Sequence, residues 1–235
     1  MARTLLTPMT PSEINNAYTS LWMRFSTTCH SASFNAVADQ AGFILKTVAP
    51  KKVQVESLIY LKDWRYKSVS PAKHVDILVK SAEVFSCDDN CMIESKVKVT
   101  YFQTHSMTAT PILAIHYDYD LPPNNAHPIF HAQLGTTHFE QKDIDKIGFR
   151  KKIQKAATPL YGNLRIPTAY MNLASVLLGL VADHLPPKFF DKFLTDLRQN
   201  NGLAWSASCA SLRTSLNGGG FLHSHHWYDR IPNDV

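Results

Sequence analysis

Histidine, the commonest metal ligand among side chains and the one that titrates near neutral pH, is concentrated in two short segments of this 235-residue chain. The first segment contains His127, His131 and His138. The second contains His223, His225 and His226. Each segment is therefore a candidate site for acid–base chemistry or for a metal ion.

A polar face is predicted just before the first histidine segment, where His116 and Asp118 alternate with tyrosines. Alternate side chains of an extended strand lie on the same face, so Tyr117 lies on the opposite face, where it is a candidate ligand contact. A carboxylate beside an imidazole fixes the tautomer and raises the pKa of the ring. We therefore predict catalytic roles for His116 and Asp118, with the alternative that His116 is a structural residue of a half-buried sheet face.

The next strand repeats this alternation, with His127, His131 and Gln133 on one face. Long polar side chains on an otherwise apolar strand need polar neighbours. If the two strands pair as a hairpin across residues 121–126, Asp118 lies close enough to orient His131 or His127 as a general base. Gln133 is then a candidate ligand contact.

The C-terminal histidines follow three glycines and have two interpretations. His223 and His225 lie on the same side of an extended chain and, with His226 and Asp229, form a candidate site for a divalent metal such as zinc or manganese. A histidine-rich extension after glycine is also typical of a solvated tail that binds metal adventitiously. Both interpretations remain open.

The dense basic run of Arg150, Lys151 and Lys152, with Arg165 further along, is a candidate contact for phosphate groups. The alternative is a solvated helix face. The formal net charge is +5, from 24 Lys and Arg against 19 Asp and Glu. This excess permits contact with a nucleic acid but falls short of the usual nucleic-acid signature.

Several classes of protein are excluded by what the sequence lacks. It has no glycine-rich phosphate loop after a strand and no Gly-x-Ser-x-Gly elbow.

Cys87 and Cys91, the one close cysteine pair, fit neither a redox motif nor a zinc knuckle, which favours a reduced, cytoplasmic protein. The longest apolar run, residues 173–181, is too short to span a bilayer, so no membrane insertion is expected.

The elements that position these residues follow from residue spacing. Thr10 and Glu13 form a capping box with Pro11 at the first helical position, which predicts the start of a helix. Apolar residues then recur at helical spacing, and after a break the period resumes over residues 34–44 until Pro50. We therefore predict a helical segment over residues 10–48.

Five strands are predicted next, because short runs of β-branched and aromatic residues alternate with polar ones between turn-like stretches. The predicted strands cover residues 53–61, 74–85, 93–102, 111–119 and 129–134. The loops between them are too short for crossover helices, so the sheet over residues 53–135 is expected to be an antiparallel meander.

Two apolar segments around residues 173–181 and 189–197, separated by Pro186 and Pro187, predict a helical hairpin. The whole chain is predicted as a single α+β domain, with a helical region over residues 142–200 and a C-terminal extension over residues 203–235.

Two functions are compatible with these residues. The first is a non-catalytic binding or accessory subunit that recognises a ligand, a nucleic acid or a protein partner through a sheet face bearing histidines. The second is a histidine-dependent hydrolase acting on a phosphodiester, such as an RNase or a metal-dependent nuclease. The absence of a complete catalytic motif favours the first.

Overall fold

The computed structural model describes most of the chain up to residue 200. The described residues are 10–65, 74–88, 91–120, 130–135, 139, 141, 145, 149–154, 165–167 and 171–200. The helices are α1 (Pro11–Ser31), α2 (Leu173–His184) and α3 (Pro187–Asn200). The strands are β1 (Asn35–Ala49), β2 (Lys52–Arg65), β3 (His74–Ser86), β4 (Cys91–His105), β5 (Thr108–Asp120), β6 (Phe130–Gly135), β7 (Lys152–Ile153) and β8 (Arg165–Pro167).

Helix α1 begins at the predicted capping box. The Thr10 hydroxyl accepts a hydrogen bond from the Glu13 amide at 3.2 Å, and the Glu13 carboxylate accepts one from the Thr10 amide at 2.7 Å. These two bonds satisfy amides that have no acceptor within the helix. The apolar face of the helix is buried, including Ile14, Leu21 and Phe25.

Residues 35–49 form strand β1, so the prediction of helix up to residue 48 is wrong in this part. Helix α1 ends where Ser33 adopts a left-handed φ of 63° and the Phe34 amide donates to the Cys29 carbonyl. The following residues then pair antiparallel with β2. Apolar spacing alone did not reveal that β2 offers an open edge, and this pairing overrides a weak helical period.

The predicted antiparallel meander is confirmed. Strands β1 to β6 lie in chain order in one sheet, each antiparallel to the next, and β8 pairs antiparallel with β6. Because the connections are short, each strand lies beside its neighbour in sequence.

The described part of residues 142–200 contains strand as well as the predicted helix. Strand β7 pairs in parallel with the start of β5, and the amides of Lys152 and Gln154 donate to the Met107 and Ala109 carbonyls. Strand β8 lies on the same side of β5, beyond β6. Both segments pair with an open part of the sheet, which a search for helical spacing does not detect.

All three helices cover one face of the sheet, as the predicted α+β arrangement requires. Their buried side chains, such as Phe25, Leu177 and Phe193, share one core with Ile77 and Val97 from the sheet. No helix in the described part of the chain is long and apolar enough to cross a membrane.

The opposite face of the sheet is apolar only at one end. There Tyr60, Phe102 and Phe149 form a small second core. Asp76 secures it, accepting hydrogen bonds from the Tyr60 hydroxyl at 2.9 Å and from Lys151 Nζ at 3.0 Å. The other end of this face is polar.

A buried carboxylate joins the helices to the sheet. Glu83 of β3 accepts hydrogen bonds from Ser95 Oγ at 2.8 Å, from the Leu173 amide at 2.9 Å and from the Tyr18 hydroxyl. Leu173 is the first residue of α2, so Glu83 also lies at the positive end of that helix. Burial nevertheless dominates and raises the pKa of Glu83, against the opposing effect of the three hydrogen bonds.

The raised pKa of Glu83 predicts how stability varies with pH. The folded protein holds this proton more tightly than the unfolded chain, so the contribution is complete below pH 4.5 and declines as the pH rises through the folded pKa. Glu83→Gln keeps one acceptor oxygen and donates to the Tyr18 hydroxyl. We expect this variant to fold and to lack the decline, as measured by urea unfolding at a series of pH values.

Glu56→Gln is the matched control, since Glu56 pairs with Lys46 on the surface at 2.7 Å and should leave the decline intact. Identical pH profiles for Glu83→Gln and the wild type would contradict the assignment. Glu83→Ala leaves three buried donors without an acceptor and should lower the free energy of unfolding by about 2–4 kcal/mol.

Candidate functional site

The polar end of the sheet face opposite the helices carries residues at directly paired positions. One row is formed by Lys80, Lys98, His116, Gln133 and Arg165, contributed in turn by β3, β4, β5, β6 and β8. Each residue of the row is paired directly with the next, so the row crosses five strands that are about 4.8 Å apart. The residues that alternate with it, such as Val79 and Val99, point into the helix-covered core.

A second row lies beside the first. Lys96 is paired with Asp118, and Asp118 is paired with His131. We call the two rows together the polar face, which consists of Lys80, Lys96, Lys98, His116, Asp118, His131, Gln133 and Arg165.

Asp118 lies between the two histidines of the polar face. Its Oδ1 is 2.8 Å from His116 Nε2, and its Oδ2 is 3.7 Å from His131 Nε2. Both groups of the Asp118–His116 pair are charged when the imidazole is protonated. The His131 side chain is 5% exposed, against 17% for His116, so His116 is the more accessible ring.

The histidines keep Asp118 ionised. Burial alone raises the pKa of this carboxyl, but interaction with His116 and the charges of His131 and Lys96 outweigh it, and the pKa of Asp118 is lowered. The polar face therefore carries a fixed negative charge between two imidazole rings.

The surroundings of Lys98 disfavour its charged form, whereas those of Asp118 favour the charged carboxylate. Burial lowers the pKa of its ammonium group, and the charges of Lys80 and Lys96 act in the same direction, while Asp118 opposes them. Lys96 is itself paired with Glu94. The polar face thus holds Lys98 at a position where its charge is unfavourable.

The structure brings together four of the candidates named from the sequence. Asp118 lies opposite His131, and His116 lies opposite Gln133. Strand alternation had left the register of this hairpin open, and the chemical roles of these side chains stay predictions. His127 lies outside the described residues.

Tyr117 does not belong to the polar face. It lies on the helix-covered face and packs against the main core. Burial and the charge of Asp183 raise the pKa of its hydroxyl, which therefore stays protonated at neutral pH. A ligand on the polar face has the whole sheet between itself and this side chain.

The basic run lies away from the polar face. Lys152 is paired with Thr108 at the start of β5, about 26 Å along the strand from His116. Lys151 is engaged by Asp76, and Arg150 is exposed. Of the predicted phosphate contacts, Arg165 alone occupies a register position in the polar face.

The predicted metal site is untested, because His223, His225 and His226 lie outside the described residues. Within the part of the chain that the structure covers, no three His, Cys, Asp or Glu side chains are grouped so as to hold a metal ion.

Sequence reasoning missed the lysines of the polar face as site residues. Lys96 and Lys98 alternate with buried valines, which correctly indicates a wet face. Alternation does not show which strands lie side by side, so the row formed with Lys80 and His116 was not visible.

Comparison of the chain with protein-family models, with curated proteins and with solved structures found no match. A fold by itself does not determine an activity. Function in this chain therefore has to be argued from the chemistry of the polar face.

Asp118→Asn tests the charge arrangement of the polar face. Because the pKa of Asp118 is lowered, its stabilising effect is present above about its ordinary value of 3.8 and is lost as the pH falls through the folded pKa. At neutral pH the variant should be less stable by about 1 kcal/mol, and the difference should vanish in acid. Urea unfolding at both pH values measures it.

The control is Asp88→Asn, since Asp88 pairs with Lys51 at an exposed turn. This variant should unfold like the wild type at both pH values. If Asp118→Asn and Asp88→Asn lost the same free energy of unfolding, the neighbours of Asp118 would not stabilise its charge.

Proposed function

We propose that this protein is a non-catalytic binding module that holds an anionic ligand on its polar face, with Lys80 and Lys98 as the primary contacts. The observation that carries the proposal is the direct pairing of these two lysines across β3 and β4. Like charges at directly opposite positions destabilise an antiparallel pair. A bound anion between the two ammonium groups removes that repulsion.

Among the described residues, two carboxylates in or beside the polar face already have partners. Glu94 pairs with Lys96, and Asp118 lies against both histidines. An anion supplied by a ligand is therefore the natural counter-charge for Lys98. Hydrogen bonds between ammonium groups and phosphate or carboxylate oxygens are among the stronger ones in proteins.

The remaining groups of the row suit orientation of such a ligand. His116 and Gln133 follow Lys98 in the row and supply polar groups next to the lysine pair. The polar face contains no aromatic residue, and recognition of single-stranded bases relies on aromatic stacking. We therefore propose recognition of phosphate or carboxylate charge rather than of bases.

A histidine-dependent phosphodiester hydrolase is the second candidate. The contact of Asp118 with both His116 and His131 favours it, since a base and an acid can act on opposite sides of a phosphodiester. The burial of His131 counts against it, because a general base has to reach the hydroxyl that it deprotonates.

Binding of inorganic pyrophosphate, measured by calorimetry, tests the proposal. Lys98→Gln should weaken binding about tenfold, which corresponds to one lost charge-assisted contact. The matched control is Lys192→Gln, which removes the same charge from an exposed position of α3 on the opposite side of the sheet and should bind normally. Equal weakening in both variants, or no binding by the wild type, would refute it.

A fluorescein-labelled single-stranded RNA forms the second arm of this experiment. If the natural ligand is a nucleic acid, the RNA should bind more tightly than pyrophosphate, and Lys98→Gln should reduce the slope of log affinity against log salt by about 1. Cleavage of this RNA by the wild type, lost in His116→Ala, would replace the binding module with the hydrolase.

A further inference from the structure

Several described lysines make close contacts with carboxylates, and Lys98 does not. Lys46, Lys51 and Lys151 each lie within 3.0 Å of a carboxylate oxygen, and Lys96 pairs with Glu94. Lys98 has no carboxylate within ion-pair distance among the described residues. Its immediate neighbours are instead two lysines and a histidine.

The register explains this environment. Lys80 lies directly across from Lys98 on β3, and His116 lies directly across from it on β5. Lys96 is on the same side of β4, two residues earlier. Asp118 is one position away diagonally, next to His116. These are the charged and titratable groups that face Lys98 from the adjoining strands.

A lysine is nucleophilic only as the free amine. Partial burial and neighbouring cations both favour the free amine at neutral pH, and the same device activates lysines that form covalent intermediates with carbonyl compounds. Both causes act on Lys98 and lower its pKa. The lysines that pair with carboxylates lack this activation.

From the geometry of this cluster we propose that Lys98 forms an imine with an anionic aldehyde or ketone bound on the polar face. The inference rests on the proposed function, since the anion has to be held by the neighbouring cations. Its carboxylate or phosphate group lies towards Lys80, and its carbonyl carbon lies at the Lys98 amine.

The reaction is a condensation that needs no oxidant or reductant. The amine lone pair of Lys98 attacks the carbonyl carbon, and the carbonyl oxygen takes a proton to give a carbinolamine. The nitrogen loses its two protons in turn, the hydroxyl group takes up a proton and leaves as water, and the C=N bond forms. The products are the imine and one molecule of water.

His116 is suited to move these protons. It lies opposite Lys98, and Asp118 holds its ring at 2.8 Å. An imidazole beside a carboxylate can give a proton to the departing hydroxyl and take one from the nitrogen near neutral pH. Asp118 acts through His116 and is a positioning residue.

Reductive trapping with glyoxylate and cyanoborohydride tests the inference. Glyoxylate is an anionic aldehyde, and cyanoborohydride converts an imine into a stable amine that peptide mass spectrometry locates. We expect Lys98 to be modified at least about tenfold faster than Lys46, Lys51 or Lys151, which serve as internal controls. Propanal, a neutral aldehyde, should react at Lys98 markedly more slowly than glyoxylate.

Two variants separate this inference from the proposed function. Lys98→Arg retains the charge but has no nucleophilic amine, so it should form no adduct at residue 98, while its pyrophosphate binding should fall less than that of Lys98→Gln. His116→Asn should slow trapping several-fold, which is more than it weakens pyrophosphate binding.

Uniform labelling of all the lysines would overturn the imine while leaving anion binding intact. Equal rates at Lys98 with glyoxylate and propanal would overturn the role of the anion. Failure of pyrophosphate to bind, together with uniform labelling, would overturn both proposals.

Discussion

The cross-strand register of β2 to β6 is the constraint on which the rest of this structure depends. A slip of one residue in any strand would move each of its side chains to the other face of the sheet. Burial of Val79, Val97 and Val99 under the helices prevents such a slip. The apolar core on one face of the sheet therefore fixes the alignment of Lys80, Lys98 and His116 on the other face.

The buried carboxylate of Glu83 connects this register to the helices. It accepts hydrogen bonds from α1, from β4 and from the first amide of α2. Buried donors that lack an acceptor are costly, so this group strongly disfavours other placements of the helices on the sheet. Glu83 and Lys80 lie on opposite faces of the same strand, and thus β3 serves both the packing of the core and the charge of the polar face.

Much of the fold could be predicted, since it depends on local patterns. The capping box at Thr10, the alternation in the five central strands and the apolar spacing of the C-terminal helices each depend on neighbouring residues. Strand β1 could not be predicted from the sequence. Its residues have a weak helical period, but they pair with the open edge of β2, which exists only in the assembled sheet. The short strands β7 and β8 have the same origin.

The candidate site, too, could be predicted only in part. The sequence by itself determined that His116 shares a face with Asp118, and that Lys96 and Lys98 share a face, because a strand alternates with period two. Only the tertiary structure decided that Lys98 lies between Lys80 and His116, and that the basic run around Lys151 lies elsewhere. The physical reason is that neighbours across a sheet are chosen by the packing of every strand against the helices, which no single segment of sequence contains.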